Sequence, residues 1–287
     1  MPILLLSLSI ILSSARNLFS KNLSGAEFGT KGFFHRQAIL FSLGTASLLV
    51  FGNISFTLPS AETFIYGVIY GVLLILAQWF YTVALAQGNT ALCSTVYSMG
   101  FILPTLSGAI FWSEKISVID IVGILFAVLA ILFSKGKADN KKEAGNKHFL
   151  PLIIAMLSSG GLGIMQKLQQ ASRVADERGE FLVIAFFIAA TASAAASFVS
   201  SGKNEAGMTS VIAVSSAVVG FAFGVCNLLN TALAGMLPSA VFFPTLNMSS
   251  ILLTMLCGIV FFKEKLGKKE ITVLIFGGIS ILLLNIG

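Results

Sequence analysis

Charge is what this sequence has least of. Only 10% of its 287 residues are Asp, Glu, Lys or Arg, against about a quarter in a soluble domain. With 56% hydrophobic residues and a mean hydropathy of +0.94, a fold in water would expose more apolar surface than water tolerates. The shortage excludes a soluble globular domain and makes the bilayer the solvent. Histidine is nearly missing as well: His35 and His148 sit at the borders of apolar runs without metal-ligand spacing. There is no Gly-x-Ser-x-Gly elbow, no P-loop and no membrane-depth pair of acids. Hydrolase, ATPase and intramembrane protease chemistry therefore have no residues to rest on, and an enzyme is not expected. Cys93, Cys226 and Cys257 all lie inside apolar runs. An odd number without ligand spacing reads as buried small side chains, so neither disulfide, metal nor cofactor is expected. The net charge of +6 is not a nucleic-acid footprint, because the basic residues cluster between apolar runs, as from Lys135 to Lys147 and from Lys263 to Lys269.

What is abundant is the long apolar run. A helix needs ~20 mostly apolar residues to cross the hydrocarbon core, and the runs are too long and too unbroken for barrel strands. Ten such stretches are expected, at 3–20, 34–52, 62–86, 90–112 and 117–135, then 149–170, 180–200, 208–234, 238–262 and 268–286. Residues 2–15 resemble a secretory signal, but nothing basic precedes Arg16, so this stretch is read as the first helix. The longest polar interruption, at 137–148, divides the expected helices five and five. Tight links at Gln87–Thr90 and Gly235–Pro238 leave no room for a soluble domain.

The halves 1–136 and 149–287 resemble each other. A shift of 150 positions aligns residues 84–132 with 234–282 without a gap, pairing Gly108 with Gly258, Phe111 with Phe261, Glu114-Lys115 with Glu264-Lys265, and Phe126 with Phe276. Weaker echoes pair Leu12-Ser13-Ser14 with Leu157-Ser158-Ser159, and Lys21 with Lys167. Five helices is an odd number, so the second copy enters the membrane upside down. An all-α membrane protein of two inverted five-helix repeats is expected. That architecture serves alternating access, since each half can take the conformation of the other. The Phe111–Lys115 and Phe261–Lys265 corners should then lie at opposite leaflets.

The stretch Ala84-Leu-Ala-Gln-Gly-Asn-Thr-Ala-Leu-Cys-Ser-Thr95, followed by Pro104 and Glu114-Lys115, and its counterpart Ala232-Leu-Ala-Gly-Met-Leu-Pro-Ser-Ala-Val with Glu264-Lys265, resemble the drug/metabolite transporter superfamily, in its ten-helix EamA-like branch. The resemblance spans nearly the whole chain. It implies a metabolite carrier, with amino acids and related amphipathic solutes as the substrate class and export favoured over uptake. The first helix has Ala15-Arg16 in place of the frequent Trp-Gly pair, and Thr254 stands where the first copy has Pro104. Neither first helix carries the glutamate of small multidrug-resistance members, which argues against their proton-coupled export of hydrophobic cations.

Polar residues inside spans are costly, so each is a candidate for the solute pathway. Gln78 and Tyr81 share a face beside Trp79, and Asn227 and Asn230 have the same spacing. Tyr97 and Asn247 are equivalent under the 150-residue shift, while Arg16, Asn17 and Gln166 add polar groups in the first helix of each half. Aromatic and amide groups together suit an amphipathic solute; the competing reading is hydrogen-bonded glue between helices. Arg16 either meets a substrate carboxylate or phosphate, or snorkels to an interface. Lys21 and Lys167 read as marks of helix ends, and Glu114-Lys115 and Glu264-Lys265 as interfacial ion pairs or gates. No buried carboxylate stands out as a proton carrier. Gly67-x-x-x-Gly71 and Gly220-x-x-x-Gly224 read as close-packing surfaces.

Basic residues fall mainly on the face holding the 137–148 loop, which places that loop in the cytoplasm and both termini outside. The expectation is a monomeric carrier in the cell membrane, surrounded by lipid, that binds a small molecule between its two halves. The alternative is a non-transporting assembly factor or lipid-interacting scaffold, which would pack shut without a central polar cavity.

Overall fold

The computed structural model describes residues 1–24, 29–55, 58–87, 90–133, 149–200, 210–262 and 268–286. The basic loop before Phe149 with His148, the Glu264-Lys265 pair and the tip of the Gln87–Thr90 link lie outside the described residues, so the expected opposition of the two corners stays an expectation. Helices account for nearly everything described: α1 (Pro2–Ser24), α2 (Thr30–Phe51), α3 (Ala61–Gln87), α4 (Thr90–Ser98), α5 (Ile102–Trp112), α6 (Val118–Phe133), α7 (Phe149–Ala171), α8 (Arg178–Val199), α9 (Ser210–Met236), α10 (Ser239–Phe262) and α11 (Lys268–Ile286). There is no strand among the described residues.

Among the described residues, eight segments are long and apolar enough to cross a membrane: α1, α2, α3, the α4–α5 run, α7, α8, α9 and α10. Two shorter apolar helices, Val118–Phe133 and Ile271–Ile286, accompany them. Large apolar side chains stand open on the outside, including Ile3 at 78%, Ile110 at 70% and Phe198 at 88% exposure. Water would penalise such a surface, whereas lipid solvates it. This is a multi-pass membrane protein.

The fourth expected span is interrupted, since Met99–Phe101 forms a 3₁₀ turn between α4 and α5. Pro104 has no N–H to donate to the Gly100 carbonyl, and the ladder fails one turn before it. The irregular turn lies against α7, where a Cβ on Gly100 would come within 2.9 Å of the Met156 carbonyl and one on Gly163 within 2.6 Å of Pro104. At the start of α6, the Asp120 N–H bonds the Ser117 hydroxyl and the Ser117 N–H bonds the Asp120 carboxylate, a reciprocal capping box.

The chain forms two compact units, and neither is a half of the sequence. Unit 1 comprises Met1–Ile75 and Leu168–Leu233; unit 2 comprises Leu76–Lys167 and Ala234–Gly287. In unit 1, α2 packs along α8, and Phe41, Phe186 and Phe223 form a three-ring knot with centroids 5.2 to 5.9 Å apart. Both glycine motifs serve this packing. A Cβ at Gly71 would lie 2.6 Å from the Ala185 carbonyl of α8, and one at Gly224 would lie 2.5 Å from the Gly44 carbonyl of α2. In unit 2, α6 packs along α11 and α10 along α5 and α11. Phe126 meets Phe276 edge to face at 5.5 Å, and the Ser280 hydroxyl donates to the Gly123 carbonyl at 2.8 Å.

Candidate functional site

The polar residues singled out from the sequence divide between the units. Arg16, Asn17, Asn227 and Asn230 fall in unit 1; Gln78, Trp79, Tyr81, Tyr97, Gln166 and Asn247 fall in unit 2.

Within unit 1, α1 and α9 meet along a polar seam. Ser9, Ser13 and Arg16 recur at helical spacing and face Asn230, Cys226 and Phe223, each rung in reverse order along α9. The Ser9 hydroxyl donates to Asn230 Oδ1 at 2.5 Å, the Ser13 hydroxyl to Cys226 Sγ at 3.6 Å, and the Arg16 guanidinium carbon lies 5.0 Å from the Phe223 ring centroid. A cation within a span costs ~2.5–3.5 kcal/mol on insertion scales. A cation–π contact returns only ~0.5–2 kcal/mol. Phe223 therefore does not balance the charge of Arg16, and no carboxylate among the described residues pairs with it. Asn227 has a different task. Its Oδ1 accepts the hydroxyl of fully buried Tyr70 at 2.6 Å and its Nδ2 donates to the Phe223 carbonyl at 2.8 Å, so it ties α3 to α9.

Within unit 2, Tyr81 of α3 and Tyr97 of α4 stack with centroids 4.4 Å apart and planes tilted by 32°. Both rings are half-buried, as are Gln78 and Trp79. Beneath them Ala84, Cys93 and Leu152 form a closed apolar floor. Gln166 is buried, and half-buried Asn247 spends one amide hydrogen on the Phe243 carbonyl of its own helix at 3.1 Å.

Lys167 does not mark a helix end. It lies a turn inside α7, buried, with its ammonium 2.5 Å from Glu114 Oε1 and 3.0 Å from the Ala234 carbonyl. Glu114 Oε2 accepts the Ser239 N–H at 2.7 Å. The carboxylate thus caps the N-terminus of α10 while the ammonium caps the last turn of α9, each at the end whose dipole favours its sign. Ser113, in left-handed conformation at φ 53°, ends α5 and turns Glu114 toward this junction. A side chain at Gly108 would strike the carboxylate. Lys167 and Ala234 are also the residues at which α7 leaves unit 2 and α9 enters it. Of the interfacial ion pair or gate expected at Glu114-Lys115, the ion pair at Glu114 is made with Lys167.

Buried acids are present after all, at Asp120 and Glu180. Each is engaged near a helix start: Asp120 in its capping box, and Glu180 accepting the N–H and hydroxyl of Ser55 at 2.8 and 2.7 Å. Between α7 and α8, Arg173 pairs with Glu62 at 2.6 Å, and that carboxylate holds the guanidinium pKa above its ordinary value. Among the described residues no three His, Cys, Asp or Glu side chains gather to hold a metal ion. Sequence reasoning missed Tyr70, Ser9 and the Phe223 platform. The i, i+4, i+7 spacing of Ser9, Ser13 and Arg16 was the available signal for the seam.

No family model and no curated protein matches the sequence. Among solved structures, one crystal structure, described only as that of a protein, superposes with a TM-score of 0.80 over 99% of this chain and 96% of its own, at 15% identity. At that identity the likeness establishes the fold alone.

Proposed function

We propose that this protein is a secondary transporter that carries a small organic metabolite across the cytoplasmic membrane by alternating access. The observation that carries the reading is that each compact unit joins corresponding helices from both halves of the chain: α2 with α8 in unit 1, and α6 with α11 in unit 2. Phe126 and Phe276, 150 positions apart, touch each other; so do Phe41 and Phe186, 145 positions apart like Ser13 and Ser158. Equivalent residues in mutual contact lie on a local twofold axis. If α6 and α11 serve as the fifth and tenth spans, each half would have five, and such pairing within each unit supports the inverted-repeat reading.

The first helices depart from this symmetry, and the departure also supports the reading. All of α1 belongs to unit 1, whereas α7 gives Phe149–Lys167 to unit 2. A carrier at rest in one of two mirrored states must differ between its halves somewhere. The drug/metabolite transporter resemblance, of the EamA-like kind, fits the same picture, with amino acids and related amphipathic solutes as cargo and export as the favoured direction. Trp79, Tyr81 and Tyr97 supply aromatic faces, and Gln78, Gln166, Asn247, Asn17 and Asn230 supply amides. Asn227 serves the framework instead.

The test is flux in proteoliposomes offered a mixed metabolite panel, read by mass spectrometry. Some solute should cross faster than in protein-free vesicles, and Tyr97→Ala or Asn247→Ala should slow it by about tenfold. No protein-dependent flux of any solute would sink the transporter reading. Flux indifferent to both substitutions would remove these two residues from the pathway.

A further inference from the structure

We infer that Arg16 is an anion-binding residue of the solute pathway, and that the solute it receives bears a carboxylate. The inference rests on the transporter reading and names its substrate class. Three observations converge on it.

First, Arg16 has no counter-charge among the described residues. Its guanidinium lies on the face of Phe223, three residues along α9 from Cys226. Neither ion pair of a basic residue among the described residues involves it, since those belong to Lys167 and Arg173. A guanidinium presents its donors in a planar fork that matches two carboxylate oxygens. Here that fork lies over an aromatic ring with nothing to bind.

Second, Arg16 is not on the lipid face of α1. The exposed side chains Ile3, Leu4, Leu8, Ile11 and Phe19 define that face. At about 100° per residue, Arg16 is rotated roughly 120° from the centre of the stripe, toward Ser9 and Ser13. Its guanidinium accordingly rests on α9. A snorkelling arginine would follow the lipid stripe toward headgroups.

Third, the surroundings are built for one negative charge. Phe223 is braced by Phe41 and Phe186 in the three-ring knot, giving the guanidinium a fixed platform. Asn230, two turns away along the seam, has its oxygen committed to Ser9 and leaves its amide N–H groups to donate. One fork and neutral donors balance a monoanion; a phosphate dianion would leave charge over.

The experiment uses the full-length protein in proteoliposomes and the metabolite panel above. Solutes that cross should be carboxylates. Benzoate should inhibit their flux while benzamide does not, a comparison that needs no mutation. Arg16→Met should lower the flux by roughly tenfold or more, with Arg16→Lys retaining part of it. Gel-filtration profiles and unfolding temperatures verify that the variants fold. If neutral or cationic solutes alone cross, or Arg16→Met transports carboxylates at the wild-type rate, the inference fails while the transporter reading stands. Inhibition by inorganic phosphate but not benzoate, or flux restored to Arg16→Met by anionic-lipid vesicles, would likewise overturn the carboxylate assignment. Absence of all flux ends both readings together.

Discussion

Arg16 in unit 1 and Lys167 in unit 2 are both basic residues in the first helix of a sequence half, and the fold treats them oppositely. Lys167 is given a helix C-terminus and a carboxylate that is itself held by Ser239. Arg16 is given an aromatic platform and, among the described residues, no anion. The first arrangement is closed, with every charge answered from within the chain. The second, on the inference above, leaves a charge for the carboxylate of a solute. Similar residues in an apolar run thus separate into a framework element and a proposed binding element according to what the fold sets beside them.

The broadest way to break the comparison is to separate the halves. Each unit draws on both, so a fragment ending within the 137–148 loop should give no monodisperse protein alone, while co-expression with the remaining fragment restores it. Gel filtration of each preparation decides; a folded single fragment would show the units to be less interleaved than their helices suggest. Next in size is the stability contrast. Lys167→Met strands the Glu114 carboxylate and should cost about 3–5 kcal/mol, with part recovered in the Glu114→Gln/Lys167→Met double variant. Arg16→Met removes an unanswered charge and should leave stability unchanged or raise it by about 1 kcal/mol. Thermal unfolding in detergent compares the two, and equal losses would erase the distinction.

A smaller effect sharpens the picture from the neighbouring backbone. Gly108→Ala should displace Glu114 and cost about 1–3 kcal/mol, and it should cost little more once Lys167→Met is present. Additive losses in that cycle would mean that Gly108 acts through packing alone. Smallest is Tyr70→Phe, which removes one buried bond to Asn227 and should cost ~0.6 kcal/mol by the same unfolding assay.

The long helices were legible because a span is announced by its own composition. Observed α7 at Phe149–Ala171 and α10 at Ser239–Phe262 differ from the apolar runs by a residue at one end. The 3₁₀ break was less visible: Gly100 and Pro104 stand in the sequence, but a proline inside a helix can bend it or be absorbed, as Pro244 is within α10. Individual roles were least legible. Asn227 and Asn230 look alike at a spacing of three, yet one is consumed by Tyr70 while the other retains free donors. Lys167 and Glu114 are far apart in sequence, and only the packing of α7 beside the end of α5 joins them. Interleaved units leave no mark in composition, because apolar spans supply both of them.

Three helices pass from one unit to the other without interruption: α3 at Ile75–Leu76, α7 at Lys167–Leu168 and α9 at Leu233–Ala234. A loop at such a crossing would act as a slack tether, whereas a hydrogen-bonded helix behaves as a stiff spring that resists bending and returns the work done on it. Lys167 and Ala234 stand at two of these crossings and hold each other, so α7 and α9 are fastened together where each changes unit.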